Sequence, residues 1–155
     1  MAIERIDIAD QDFEKFVFDG LVEHGFDPRI EGDVIHLSGV GAGEGNSSVD
    51  AQLNLVHMDG HRILEIVAPI RMTPVSFDMA NLMAAQGNLS CHIAKFRPVE
   101  IEGSGTHFVQ ASFALFADHL SVKELGSMMY LFIKEVDAID DEIVALAGQS
   151  IKSGN

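Results

Sequence analysis

The chain has 155 residues, enough for one domain with a sizeable core, and an apolar share of 47% that is ordinary for a globular protein. With 24 acidic against 10 basic residues its net charge is −14, which excludes the classes that need clustered Lys and Arg, namely binding to a nucleic-acid backbone and docking on anionic membranes. Cys91 is the one cysteine, so neither an intrachain disulfide nor a cysteine metal cluster is available. The opening residues Met1-Ala2-Ile3-Glu4-Arg5 lack the pattern of a signal peptide, and no apolar run approaches membrane-spanning length. A cytoplasmic protein is expected, in which the triplets Asn46-Ser47-Ser48 and Asn88-Leu89-Ser90 are chance matches to a glycosylation site.

Taken in order, the chain first predicts a helix over residues 10–24. Phe13, Phe16, Val17 and Leu21 recur at three- and four-residue steps to make an apolar face, and Gly25 is its C-cap. Gly20 inside that pattern is a place where another backbone could come close. A strand follows over 33–38, then a glycine-rich stretch over 39–48. A second strand over 49–57 alternates, with Ala51, Leu53 and Leu55 on one face. Asp59-Gly60 is a hairpin turn, and the returning strand over 62–72 places Leu64, Ile66, Ala68 and Ile70 together. Pro69 marks a sheet edge or a strand end.

A shorter helix over 76–86 ends at Gly87. Strands over 89–99 and 106–116 follow, joined through Gly103-Ser104-Gly105. On the first of them Leu89, Cys91 and Ile93 share a face; on the second Val109, Ala111, Phe113 and Leu115 do. The last segment, 121–148, is the strongest signal. Leu125, Met129, Phe132, Val136, Ile139, Ile143 and Leu146 fall at alternating steps of four and three, a helix with one apolar seam. Ser121 and Glu124 have capping-box spacing, and Gly148 is the expected end. The whole is a single domain with its core over about 10–148. Its fold class is α+β, in the order α-β-β-β-α-β-β-α, an antiparallel sheet with helices packed mainly on one face.

No motif compels a chemistry. The glycines at 39, 41, 43 and 45 never give G-x-G-x-x-G, and no lysine follows to make a phosphate-binding loop. His57, Asp59 and His61 bracket the hairpin turn and could approach one ion, although nothing near them in sequence supplies a fourth ligand. The acidic run Glu135, Asp137, Asp140, Asp141, Glu142 lacks the ladder of a calcium loop and reads as a solvated helix face. Cys91 reads as a small apolar filler. No catalytic residue, resident metal or cofactor is assigned. The remaining feature is the other side of the sheet. Ile63, Val67, Phe96, Phe108 and Phe116 fall there and would form an apolar patch, either a surface for a second copy or, less so, for a protein or peptide partner, or else a face buried by the second helix or a loop.

Three stretches carry a resemblance to a known family. They are His57-Met58-Asp59-Gly60-His61-Arg62-Ile63-Leu64-Glu65-Ile66, Ala80-Asn81-Leu82-Met83-Ala84-Ala85-Gln86-Gly87 and Leu120-Ser121-Val122-Lys123-Glu124-Leu125. With the element order, they make the chain resemble the YbjN family of small bacterial proteins, within the type III secretion chaperone-like domains. That resemblance implies a chaperone-like α+β fold, no established enzymatic activity, and a role in regulation, sensory transduction or stress. Its fold relatives bind extended peptides as dimers. The resulting expectation is a non-enzymatic bacterial binding or regulatory module, a homodimer that buries an apolar sheet face or adds a partner strand at an open edge. The alternative is a small-molecule or metal-binding regulator using the His57/His61 hairpin.

Overall fold

The computed structural model describes residues 10–40, 49–71 and 73–153. The first helix, α1 (Asp10–Glu23), stops where glycine lets the backbone turn left-handed. Gly25 has φ +84°, its N–H donates to the Val22 carbonyl, and the Phe26 N–H donates to Leu21 at 3.0 Å, the two bonds of a Schellman cap. A short hairpin follows, β1 (Arg29–Glu31) and β2 (Val34–Val40). Strands β3 (Val49–Met58) and β4 (His61–Pro69) meet through Asp59 (φ 51°) and Gly60 (φ 77°), the paired positive angles of a type I′ turn. Helix α2 (Phe77–Ser90) opens with the Ser76 hydroxyl accepting the Met79 N–H. Strands β5 (Lys95–Glu100) and β6 (His107–Phe116) and the long helix α3 (Val122–Ser153) complete the chain.

The six strands form one antiparallel sheet in the order β1-β2-β3-β4-β6-β5. All three helices contribute to a single core on one face. Phe13, Val17 and Leu21 of α1, Ala80 and Met83 of α2, and the α3 seam enclose Leu53, Leu64, Ile66, Val109 and Ala111. The seam residues from Leu125 to Ile143 are all buried inside their own chain. Ile133 is buried beside Phe132, so the stripe is wider than a coiled-coil seam and follows the ordinary helical period. Gly20 allows the α1–α3 contact, since a Cβ there would lie 2.9 Å from the Leu125 side chain.

Several elements differ from the sequence expectation. The strand β1 escapes it, because three exposed residues carry no alternation. Strand β4 stops at Pro69, which is paired with Gln110 at the strand's end, although the strand itself is central. Helix α3 runs through Gly148 to Ser153. Helix α2 runs through Gly87 to Ser90, and there the glycine serves packing. A Cβ at Gly87 would fall 2.6 Å from the Phe96 ring. The next residue completes the dock: Asn88 accepts the Phe96 N–H at 2.7 Å and donates to the Phe96 carbonyl at 3.0 Å.

That last shift changes which residues lie on which face. Strand β5 begins at Lys95, and Leu89 and Ser90 are helical. Carrying the alternation of 89, 91 and 93 forward puts Phe96 outside. In the structure Phe96 pairs with Ala111 and is 4% exposed beneath α2, while Lys95 and Arg97 face out. Cys91 is buried as expected, but at the end of α2 rather than on a strand.

Candidate functional site

Among the described residues no helix packs on the other face of the sheet, so its side chains are set by register alone. At one end Val56, Ile63 and Phe116 pair across β3, β4 and β6 into an apolar row. Phe116 is 71% exposed and takes the His61 ring edge-on at 5.6 Å. The next row is polar. Asn54 donates to the Glu65 carboxylate at 3.1 Å and accepts from Gln52 at 3.2 Å. Beyond it Val67 lies between Gln52 and Ser112 and is only 8% exposed, so it is a floor rather than a contact residue. There the sheet surface holds an open recess of about 370 Å³, lined in part by His36, Asp50, Gln52, Val67, Phe108 and Gln110.

The five residues expected to make one patch are therefore distributed. Ile63 and Phe116 stand together at one end, Val67 and Phe108 line the recess at the other, and Phe96 belongs to the core. The hydrogen-bonded amide row separates the two outer groups, which alternation cannot reveal because it gives a side chain's face and not its neighbours.

The edges of the sheet are poor templates for an added strand. The β1 edge is three residues long, and β5 carries Pro98 between Arg97 and Glu100, two devices that discourage edge pairing. The uncovered face is the better surface.

The histidine hairpin does not form a metal centre. Paired residues share a face, and His57 pairs with Arg62 while His61 pairs with Met58. His57 meets Phe13 of α1 on the helix side at 6.1 Å, and His61 meets Phe116 on the other. Their rings point to opposite sides of the sheet. The Nδ1 of His61 donates to Asp118 at 2.7 Å, and the other oxygen of that carboxylate accepts the Arg62 N–H at 2.8 Å. That backbone bond first, and the His61 bond second, hold the Asp118 carboxyl below the usual carboxylate range. Among the described residues no group of three His, Cys, Asp or Glu is placed to hold an ion. Of the glycine run over 39–45, positions 41–45 lie outside the described residues; Gly39 donates its N–H to Asp50 at 2.7 Å.

The acidic run on α3 is not a uniformly solvated face. Glu135 accepts three backbone N–H groups, from His92 at 2.8 Å, Ile93 at 2.9 Å and Ala94 at 2.8 Å. Burial alone would raise its pKa, but those bonds outweigh it and leave the carboxyl below its ordinary value. Asp140 is buried and accepts the Arg71 N–H at 2.8 Å, with the Arg71 Nε at 3.5 Å. Here burial wins, and the pKa is raised. Glu135 thus moors the α2–β5 connection, and Asp140 the end of β4, to the long helix. Sequence spacing offered no signal for either, because their partners are backbone groups 41 to 69 positions away. Burial pushes the Cys91 thiol up to about 11, so it is not a thiolate nucleophile.

No known family profile matches the chain, and no curated protein matches it in sequence. Among solved structures, YbjN from E. coli, described as a proposed transcription regulator, matches over 92% of this chain and 95% of its own, with a TM-score of 0.62 and 14% identity. At that identity the match shows the fold: this chain folds as YbjN does. No described helix is long and apolar enough to cross a membrane.

Proposed function

We propose that this chain is a non-enzymatic regulatory module that captures a protein or peptide segment on the uncovered face of its sheet. The observation that carries the reading is the apolar row Val56, Ile63 and Phe116, which no described helix covers and which continues through an amide row into a recess. An extended segment laid across it would bury the Phe116 ring, pair its polar groups with Asn54 and Glu65, and set one side chain on the Val67 floor. The net charge of −14 favours basic segments. The fold relation supports the regulatory sense only, since the E. coli protein is described as a proposed regulator. A cytoplasmic setting belongs to the same proposal.

The test is selection from a displayed library of random peptides, repeated on the pair Ile63→Asp and Phe116→Asp. Enriched peptides should carry apolar and basic residues and should lose binding to the double variant. Peptides that bind the variant equally well, or a library that yields none, would overturn the reading.

A further inference from the structure

The recess on the uncovered face has walls of opposite hydrogen-bonding sense, and two chains of side-chain bonds fix that sense. A carboxylate only accepts, so Asn54 turns its NH₂ group to Glu65, at 3.1 Å, and its oxygen to Gln52. Gln52 meets that oxygen with its own NH₂ group at 3.2 Å, which leaves its carbonyl oxygen to the recess. Asp50, two residues away on the same face of β3, gives one oxygen to the Gly39 N–H at 2.7 Å and keeps the other. The β3 wall therefore presents two acceptors, one of them charged.

On the β6 wall the sense is reversed. Arg97 only donates, and its Nε and one Nη both reach the Gln110 oxygen, at 3.2 Å and 3.0 Å. Gln110 therefore keeps its NH₂ group for the recess. Arg97 makes no ion pair among the described residues, so its charge stands behind that amide, and Lys95 on the same strand adds to the positive side. His36, on the β2 rim, is held by Glu31 at 3.6 Å. Between the walls lie the Val67 floor and the half-buried Phe108.

A ligand that satisfies both walls carries a positive donor at one end and a negative acceptor at the other. The walls stand on β3 and β6 with β4 between them, a backbone separation of about 10 Å. A hydrogen bond of about 3 Å at each end leaves about 4 Å, the reach of one residue's backbone. We propose that the recess binds a free α-amino acid with an apolar side chain. Its ammonium meets Asp50 and the Gln52 oxygen, its carboxylate meets the Gln110 NH₂ group backed by Arg97, and its side chain lies on Val67 against Phe108. The site does not rest on the capture of an extended segment, since a residue inside a peptide chain carries neither of these charges.

Chemical-shift titration of the full chain with each of the twenty L-amino acids to about 10 mM, enough to detect a dissociation constant of about 1 mM, tests it. Leucine or phenylalanine should bind and shift Asp50, Gln52, Val67, Phe108 and Gln110. Aspartate and lysine should not. The N-acetyl form of the best binder, which lacks the ammonium, and its amide, which lacks the carboxylate, should each bind the wild type at least tenfold more weakly. Asp50→Asn should weaken binding at least fivefold, and Gln110→Glu, which sets a carboxylate against the ligand's own, at least tenfold. The capped ligands probe the same polarity on the wild type, so the result stands whether or not the variants fold. No amino acid binding, capped forms that bind as well as the free one, or shifts that leave the recess untouched would overturn the proposal. None of these measurements involves a peptide partner, so failure here is distinct from failure of segment capture.

Discussion

On the helix side of the sheet, Leu53, Leu64, Ile66, Val109 and Ala111 are enclosed by three helices and could be exchanged only for residues of like volume. On the opposite side the same strands carry Val56, Ile63 and Phe116 in one row and Asn54 and Glu65 in the next, with no described helix above them. One backbone and one set of registers produce both surfaces. The first is a solution to burial. The second is a pattern of apolar and hydrogen-bonding rows that the fold does not require, and surplus order of that kind is where a binding function can be sought.

Substitutions should separate the two sides by size of effect. The largest is expected from Phe132→Ala, which empties a fully buried ring site under the sheet and should cost about 3–5 kcal/mol in urea unfolding. Glu135→Gln keeps the shape but turns an NH₂ group toward backbone donors, and should cost about 2–3 kcal/mol by the same measurement. Gly87→Ala drives a methyl group into the Phe96 ring and should cost about 1–3 kcal/mol. Phe116→Ala, on the uncovered side, should stay within about 0.5 kcal/mol of the wild type. If Phe116→Ala proves as costly as Gly87→Ala, the two sides do not differ as described.

Acid should sharpen the comparison within the helix layer. The Glu135 pKa is lowered by folding, so its contribution is complete above the ordinary glutamate range and is lost as pH falls through its folded value. Asp140 has the opposite sign. Its pKa is raised, so folding favours its neutral form and stability is gained as pH falls through that value. Urea midpoints between pH 3 and pH 7 should therefore show the difference between wild type and Glu135→Gln shrinking on acidification. The Asp140→Asn variant should lack the gain that wild type shows in acid.

Much of this fold could be read from the sequence. The seam from Leu125 to Ile143, the Asp59-Gly60 turn and the alternation of β3, β4 and β6 are local patterns with strong periods, and each lies where expected. What escaped was non-local. Phe96 was set on the wrong face because Gly87 read as a stop, when its missing side chain accommodates a ring from the next strand. The carboxylates of Glu135 and Asp140 looked solvated, since their partners are distant backbone groups that no spacing rule reaches. The candidate patch needed register as well as alternation. Ile63 and Phe116 face each other across β4 and β6, while Val67 and Phe108 lie past an amide row. The same correction alters the useful experiment: Phe96→Asp would probe the core, and Ile63 and Phe116 probe the surface.

The central claim is that the uncovered face, and not the helix layer, receives a partner. Chemical-shift mapping of the full chain with a peptide selected by display tests this most directly. The account predicts that shifts concentrate on Val56, Ile63, Glu65, Val67, Phe108 and Phe116. Shifts confined to α1, α2 and α3 would contradict it.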